Sequence, residues 1–297
     1  MRESVDTLLI VHRMGMSLLF IKRLIVLITL LASLGVAFAH GDLHERIALL
    51  DGELAAAPDR IEFWLERADL KRQHQDYPAA LRDTDKILTL RPDWPPAFLQ
   101  RAKVFLDQKD YSAAKYETER CLTVAPTNTD ALVIRSSCQV GLGDTNAAVR
   151  DLDQVVAIQI RPQPDLFLER ARLRAALGQI DAAVKGLDEG LERLGPTPSL
   201  ALPAFEYARK TGNTTAALNR LETLRQFMRP ETWFALQGEL LLEAGQPVAA
   251  SQAFEAGLQA IRKSAIAAQH TPPMELDLAQ RLVAGCDRAS QAGQPEH

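Results

Sequence analysis

Aromatic side chains make up only 6% of this 297-residue chain, and it has three cysteines. An odd set (Cys121, Cys138 and Cys286) with no C-x-x-C pair excludes a disulfide-rich framework and the usual structural zinc spacing. One pair could still oxidise in an oxidising compartment, but the favoured reading is that of small buried apolar side chains. A basic excess is also missing. Against 34 Lys and Arg stand 38 Asp and Glu, a net charge of −4, the wrong balance for a nucleic-acid binder. The uncharged stretch from Leu24 to Ala39 has 16 residues, short of the ~20 that a membrane-spanning helix needs. No H-E-x-x-H, G-x-S-x-G or phosphate-loop motif occurs, and no acid/base carboxylate pair stands apart from helical surface spacing. The expectation is a protein that is not an enzyme and carries no cofactor.

What is present is a hydrophobic content of 47% and a charged content of 24%, ordinary for a globular chain. Alanine is abundant, and it is the best helix former and small enough for close helix packing. These point to an all-α fold.

The N-terminus reads as a leader. Lys22 and Arg23 precede the apolar run 24–36, which ends in Ala37-Phe38-Ala39 and turns polar at His40-Gly41-Asp42. A basic region, a short apolar core and an A-x-A site form the signature of a secretory signal peptide. Residues 1–39 are therefore expected to be a signal, cleaved after Ala39, which puts the protein outside the cytoplasm, in a periplasm or the medium, with no membrane span after cleavage. Glu3 and Asp6 suit a signal start poorly, so Met14 and Met16 stand as alternative starts. Loss of Arg2, Arg13, Lys22 and Arg23 with Glu3 and Asp6 moves the net charge from −4 to −6, giving no pull toward polyanions.

Beyond the leader the chain repeats. Ala80, Ala114, Ala148, Ala183, Ala217 and Ala250 recur at spacings of 34, 34, 35, 34 and 33. Around them similar words align: Asp76-Tyr77-Pro78-Ala79-Ala80, Asp110-Tyr111-Ser112-Ala113-Ala114 and Asp144-Thr145-Asn146-Ala147-Ala148. Gly143, Gly178, Gly212 and Gly245 mark turns, where glycine supplies the left-handed residue past a helix end. A bulky residue (Trp64, Phe98, Leu132, Phe167, Phe234) is followed four positions on by a small one (Ala68, Ala102, Ser136, Ala171, Gly238). In this the chain resembles the tetratricopeptide repeat family, built of antiparallel helix pairs of 34 residues.

The resemblance implies a superhelical solenoid with about six repeats over 61–262 and turns near 74–77, 108–111, 142–145, 177–180, 211–214 and 244–247. One pair cannot bury its apolar face alone, so the stack needs caps. Residues 40–60 hold an N-terminal capping helix at 43–57. Residues 263–297 hold a closing helix at 274–288, after Thr271-Pro272-Pro273, and a frayed tail from Gln291. The fifth copy departs most: Ala201 and Phe205 exchange the large and small roles, and Pro196, Pro198 and Pro203 suggest a first helix that starts late.

Two rows of side chains follow from the repeat. Arg67, Arg101, Arg135 and Arg170 precede the small residue, and acids recur in phase: Asp83 and Asp85, Glu117 and Glu119, Asp151 and Asp153, then Asp188. A polyanion ladder is one reading. The favoured one pairs each arginine with an acid of its own repeat, because partly buried charge must find a partner. The resemblance also implies that first helices line a peptide-binding concave face. Its fifth repeat position reads Leu65, Leu99, Val133, Leu168, Leu202 and Ala235, and its ninth Asp69, Lys103, Ser137, Arg172, Glu206 and Glu239. The Lys/Asn pattern of the family's carboxylate clamp is missing. The apolar row either floors a groove for a peptide or amphipathic helix or packs between neighbouring first helices.

The leading expectation is an exported, non-enzymatic scaffold or adaptor whose partner is a protein or peptide segment. The alternative is a metal-handling protein using His40 and His44 with Asp42 and Glu45, since imidazoles and carboxylates bind copper or zinc.

Overall fold

A computed structural model of the chain describes residues 43–268 and 273–292, and among these every regular element is a helix. Residues 43–56 form α1. Six helix pairs follow: α2 (Ile61–Gln73) with α3 (Tyr77–Leu90), α4 (Pro95–Asp107) with α5 (Tyr111–Val124), and α6 (Thr129–Gly141) with α7 (Thr145–Ile158). Next come α8 (Pro164–Ala176) with α9 (Ile180–Leu194), α10 (Pro198–Lys210) with α11 (Thr214–Leu224), and α12 (Pro230–Glu243) with α13 (Pro247–Ala268). The last helix is α14 (Pro273–Ala292). The chain divides into two compact units, one ending at Pro126 and one beginning at Thr127. Within each unit, helices pack on their sequence neighbours. This is an all-α helical repeat fold.

The three-residue turn inside each pair shows why the words repeat. Gln75 N–H donates to the Arg72 carbonyl and Asp76 N–H to the Lys71 carbonyl, both at 2.9 Å. The same two bonds close the turns at Lys109-Asp110, Gly143-Asp144, Gly178-Gln179 and Gly245-Gln246. They satisfy the last carbonyls of the first helix as a Schellman motif. The second of these residues then caps the next helix: Asp76, Asp110, Asp144 and Asn213 each accept from the N–H three residues on, at 2.9–3.1 Å. One aspartate thus ends one helix and starts another. The residue before it needs positive φ, supplied by glycine at 143, 178, 212 and 245 but by Gln75 and Lys109 in the first two pairs.

The core follows the large-and-small alternation. Ala68, Ala102 and Ala171 are fully buried, and Phe98 and Phe167 nearly so. Ser136, at the small position of α6, hides its hydroxyl by donating to the Ala148 carbonyl at 3.1 Å. At Gly238 a Cβ would sit 2.5 Å from the Phe254 ring, so a side chain there would have to displace that buried ring. Ala201 and Phe205 do exchange roles, and both are buried. Cys121 and Cys138 are buried and Cys286 partly so.

Three boundaries differ from expectation. The α10 helix does not start late: it begins at Pro198, since proline is favoured in a first turn, and carries Pro203 inside. The α13 helix runs beyond 262 to Ala268, with no proline before Pro272 to stop it. The closing helix extends through Gln291 to Ala292. The signal at 1–39, Met14, Met16, His40 and Asp42 lie outside the described residues. Among the described residues no helix is long and apolar enough to cross a membrane.

Candidate functional site

The arginine row is engaged in ion pairs. Arg67 Nη2 donates to Asp83 Oδ1 at 2.6 Å with Nε to Oδ2 at 2.8 Å, and Arg135 holds Asp151 by the same two-pronged geometry. Arg101 Nε meets Glu117 at 2.9 Å. These acids lie 16 residues on, in the arginine's own pair, and are 3–5% exposed. Arg170 finds its own-pair acid at Glu189, 2.6 Å away. The other acids of the row reach the next pair. Asp85 binds Arg101, Asp153 binds Arg170 and Arg174, and Asp188 binds Arg220. Glu119 lies 3.8 Å from Lys115 on its own helix. Asp85, Asp153 and Asp188 are therefore cross-pair ties, not the own-pair partners expected. Arg67 also lies over the Trp64 ring at 4.6 Å and Arg170 over Phe167 at 5.4 Å, so the aromatic shields the guanidinium.

The ninth-position row stitches first helices together at several places. Asp69 accepts from Gln100 of α4 at 3.1 Å, and Arg72 donates to Asp107 of α4 at 2.6 Å. Burial raises the Asp69 carboxyl, but hydrogen bonds from Gln73 and Gln100 and the Arg72 charge outweigh it, holding the group below the usual carboxylate range. In the second unit, Glu239 of α12 accepts from Arg281 of α14 at 3.0 Å and lies 3.7 Å from Arg209 of α10. Arg209 also binds Glu243. Asp69 and Glu239 are thus occupied within the fold. Lys103 is half-buried and Glu206 exposed.

Between α6 and α8 the same row does not bridge. Ser137 turns its hydroxyl back on the Val133 carbonyl at 3.1 Å, and Arg172 pairs with Glu169 of its own helix at 2.9 Å. These two helices are packed less closely than α2 on α4, α8 on α10 or α12 on α14. A cleft of about 400 Å³ opens there, with Val133, Val140, Leu152 and Leu166 as its apolar lining and Ser136, Ser137, Asp165, Glu169 and Arg172 as its polar one. The link into α8, residues 159–163, is five residues long, where 91–94 and 125–128 have four. That extra residue is the 35 in the repeat spacing. Arg193 of α9 ties the link down by donating to the carbonyls of Val156, Gln159 and Ile160, leaving the Ile160 side chain exposed.

The fifth-position row is mixed. Leu65, Val133 and Leu168 are half-buried and lean on the core clusters beside them. Leu99 is also half-buried and Ala235 is buried, while Leu202 is exposed. Both readings of this row therefore apply, at different repeats. Of the groove candidates, the cleft brings together Val133, Ser137 and Arg172; Leu65, Asp69, Leu99, Lys103, Leu168, Leu202 and Glu206 lie outside it. Sequence reasoning missed Val140, Leu152, Asp165, Leu166 and Glu169, for which the single 35-residue spacing was the available signal.

For the metal alternative, His44 meets the His74 ring edge-on at 4.4 Å between centroids. Among the described residues no group of three or more potential ligands gathers. A second cleft of about 380 Å³ lies between α12 and α13, where buried Glu231 pairs with Arg229 at 3.0 Å.

Neither a family model nor a curated protein matches the sequence. Solved structures do resemble the fold. The C-terminal part of a TPR repeat-containing protein from Cytophaga hutchinsonii is similar over 82% of this chain and 97% of its own, at 15% identity and a TM-score of 0.60. PilW, described as a widely conserved type IV pilus biogenesis factor, is similar over 65% of this chain and 90% of its own, at 20% identity and a TM-score of 0.51. The chain has the tetratricopeptide-repeat fold.

Proposed function

We propose that this chain of tetratricopeptide-repeat fold is a non-enzymatic scaffold that is exported by its N-terminal leader and holds a protein segment in the cleft between α6 and α8. The observation that carries the reading is that cleft. It is concave, apolar at its base and bounded by a few polar groups, which is the general form of a binding site. Within the same unit the first helices α10 and α12 are joined by Arg209–Glu239, and in the other unit α2 and α4 are joined by Asp69–Gln100 and Arg72–Asp107. Carboxylates engaged in that way are poorly placed for acid/base work, which supports a binding role over a catalytic one. Export rests on Lys22, Arg23, the 24–36 run and Ala37-Phe38-Ala39.

The test is a pair of readouts on the same variants. Val140→Glu places a charge at a side chain already 38% exposed, so it should leave the melting temperature nearly unchanged. Partner recovery from an envelope fraction should be lost with it. Val248→Glu, at a site 71% exposed and away from the cleft, should lose neither. Equal recovery by Val140→Glu and the parent would refute the cleft as the binding site.

A further inference from the structure

The cleft's rim has a charge pattern that names the partner's chemistry. Asp165 and Glu169 line it, and Glu169 is neutralised by Arg172. Asp130 lies three, seven and ten residues before Val133, Ser137 and Val140, which puts it on the same face of α6. One helix further along, Glu206 of α10 is exposed beside the exposed Leu202. Asp130, Asp165 and Glu206 are thus exposed carboxylates on the α6–α8–α10 face, where the cations Arg172 and Arg209 are already engaged, the first by Glu169 and the second by Glu239 and Glu243. The lining itself is aliphatic, with no aromatic ring among its residues. An apolar base selects an aliphatic side chain by burial, and an acidic rim selects cations around it and repels anions.

We infer that the occupant of the α6/α8 cleft is an extended protein segment in which an aliphatic residue is flanked by lysine or arginine. The inference rests on the cleft being the binding site and adds the class of segment it takes. The aliphatic side chain sits over Val133, Val140 and Leu166, and the flanking cations face Asp130 and Asp165. Acidic tails and phosphorylated segments are disfavoured by the same carboxylates.

The experiment is fluorescence anisotropy on the full chain with three labelled twelve-residue peptides. The first has two central leucines between lysines, the second replaces the leucines by serine, and the third replaces the lysines by glutamate. The first is expected to bind and to weaken as salt rises. Each of the other two should bind about ten-fold more weakly or worse. Asp165→Asn, alone and with Asp130→Asn, should weaken the lysine peptide while its circular dichroism matches the parent, and Val140→Arg should abolish binding. Tighter binding of the glutamate peptide, still lost in Val140→Arg, would overturn the charge selection but leave the cleft as the site. Binding of any peptide that is indifferent to Val140→Arg would overturn the cleft itself. Concentration-dependent self-association that Val140→Arg removes would overturn the inference in favour of a second copy of the chain.

Discussion

At the scale of single residues, burial separates the ion pairs that hold the fold from those that merely decorate it. Asp151 is 5% exposed and takes both prongs of Arg135. Arg135→Ala leaves that carboxylate without the guanidinium that offsets its desolvation, a loss worth about 3–5 kcal/mol. Arg172, 67% exposed in its pair with Glu169, is expected to cost under about 1 kcal/mol as Arg172→Ala. Urea unfolding of the two variants checks the contrast. Equal losses would mean that the arginine row has no special structural weight. Asp69 makes a pH prediction. Its folded value lies below the ordinary one, so its contribution is present above the usual carboxylate range and is lost as pH falls through the folded value. Thermal stability should therefore decline from about pH 5 toward about pH 3, and Asp69→Asn should flatten part of that decline. A variant with the parent's full acid slope would remove Asp69 from the account.

At the scale of elements, the turn explains both the repeat and its exceptions. Glycine adopts the left-handed conformation freely, whereas Gln75 and Lys109 hold it at φ 64° and 60° against their own side chains. Gln75→Gly and Lys109→Gly should each stabilise the chain by up to about 1 kcal/mol. Calorimetry on the single and double variants reads this directly, and a lowered melting temperature would contradict it. Turns were legible in the sequence because the same three positions close one helix and cap the next, so the constraint is local. The acid chosen by each arginine was less legible. Asp83 and Asp85 are two residues apart on one helix, and the side each faces is set by the angle between packed helices. The start of α10 is poorly legible for a related reason: Pro198 stands in the first turn, where proline starts a helix as readily as it interrupts one further in.

At the scale of the whole molecule, the groove was legible only as a row of positions. Leu168 is partly engaged by the core and Glu239 by Arg209 and Arg281, which spacing alone does not reveal. The open cleft depends on how far α8 stands from α6, a tertiary property whose trace in the sequence is one extra residue between Ile158 and Pro164. The proposed export makes a separate prediction at this scale. Expression of the full gene should yield a protein whose N-terminal sequencing begins at His40 and which fractionates outside the cytoplasm. An intact leader on a cytoplasmic product would contradict export.

The most direct test of the scaffold reading is photo-crosslinking in living cells from a single position inside the cleft. A photoreactive residue replacing Ser137, whose side chain is exposed on the cleft wall, should give one discrete higher-mass adduct that vanishes when Val140→Glu is added. The same residue at Val248 should give none. Identical adduct patterns from positions 137 and 248, or an adduct at 137 that persists with Val140→Glu, would contradict a protein segment bound between α6 and α8.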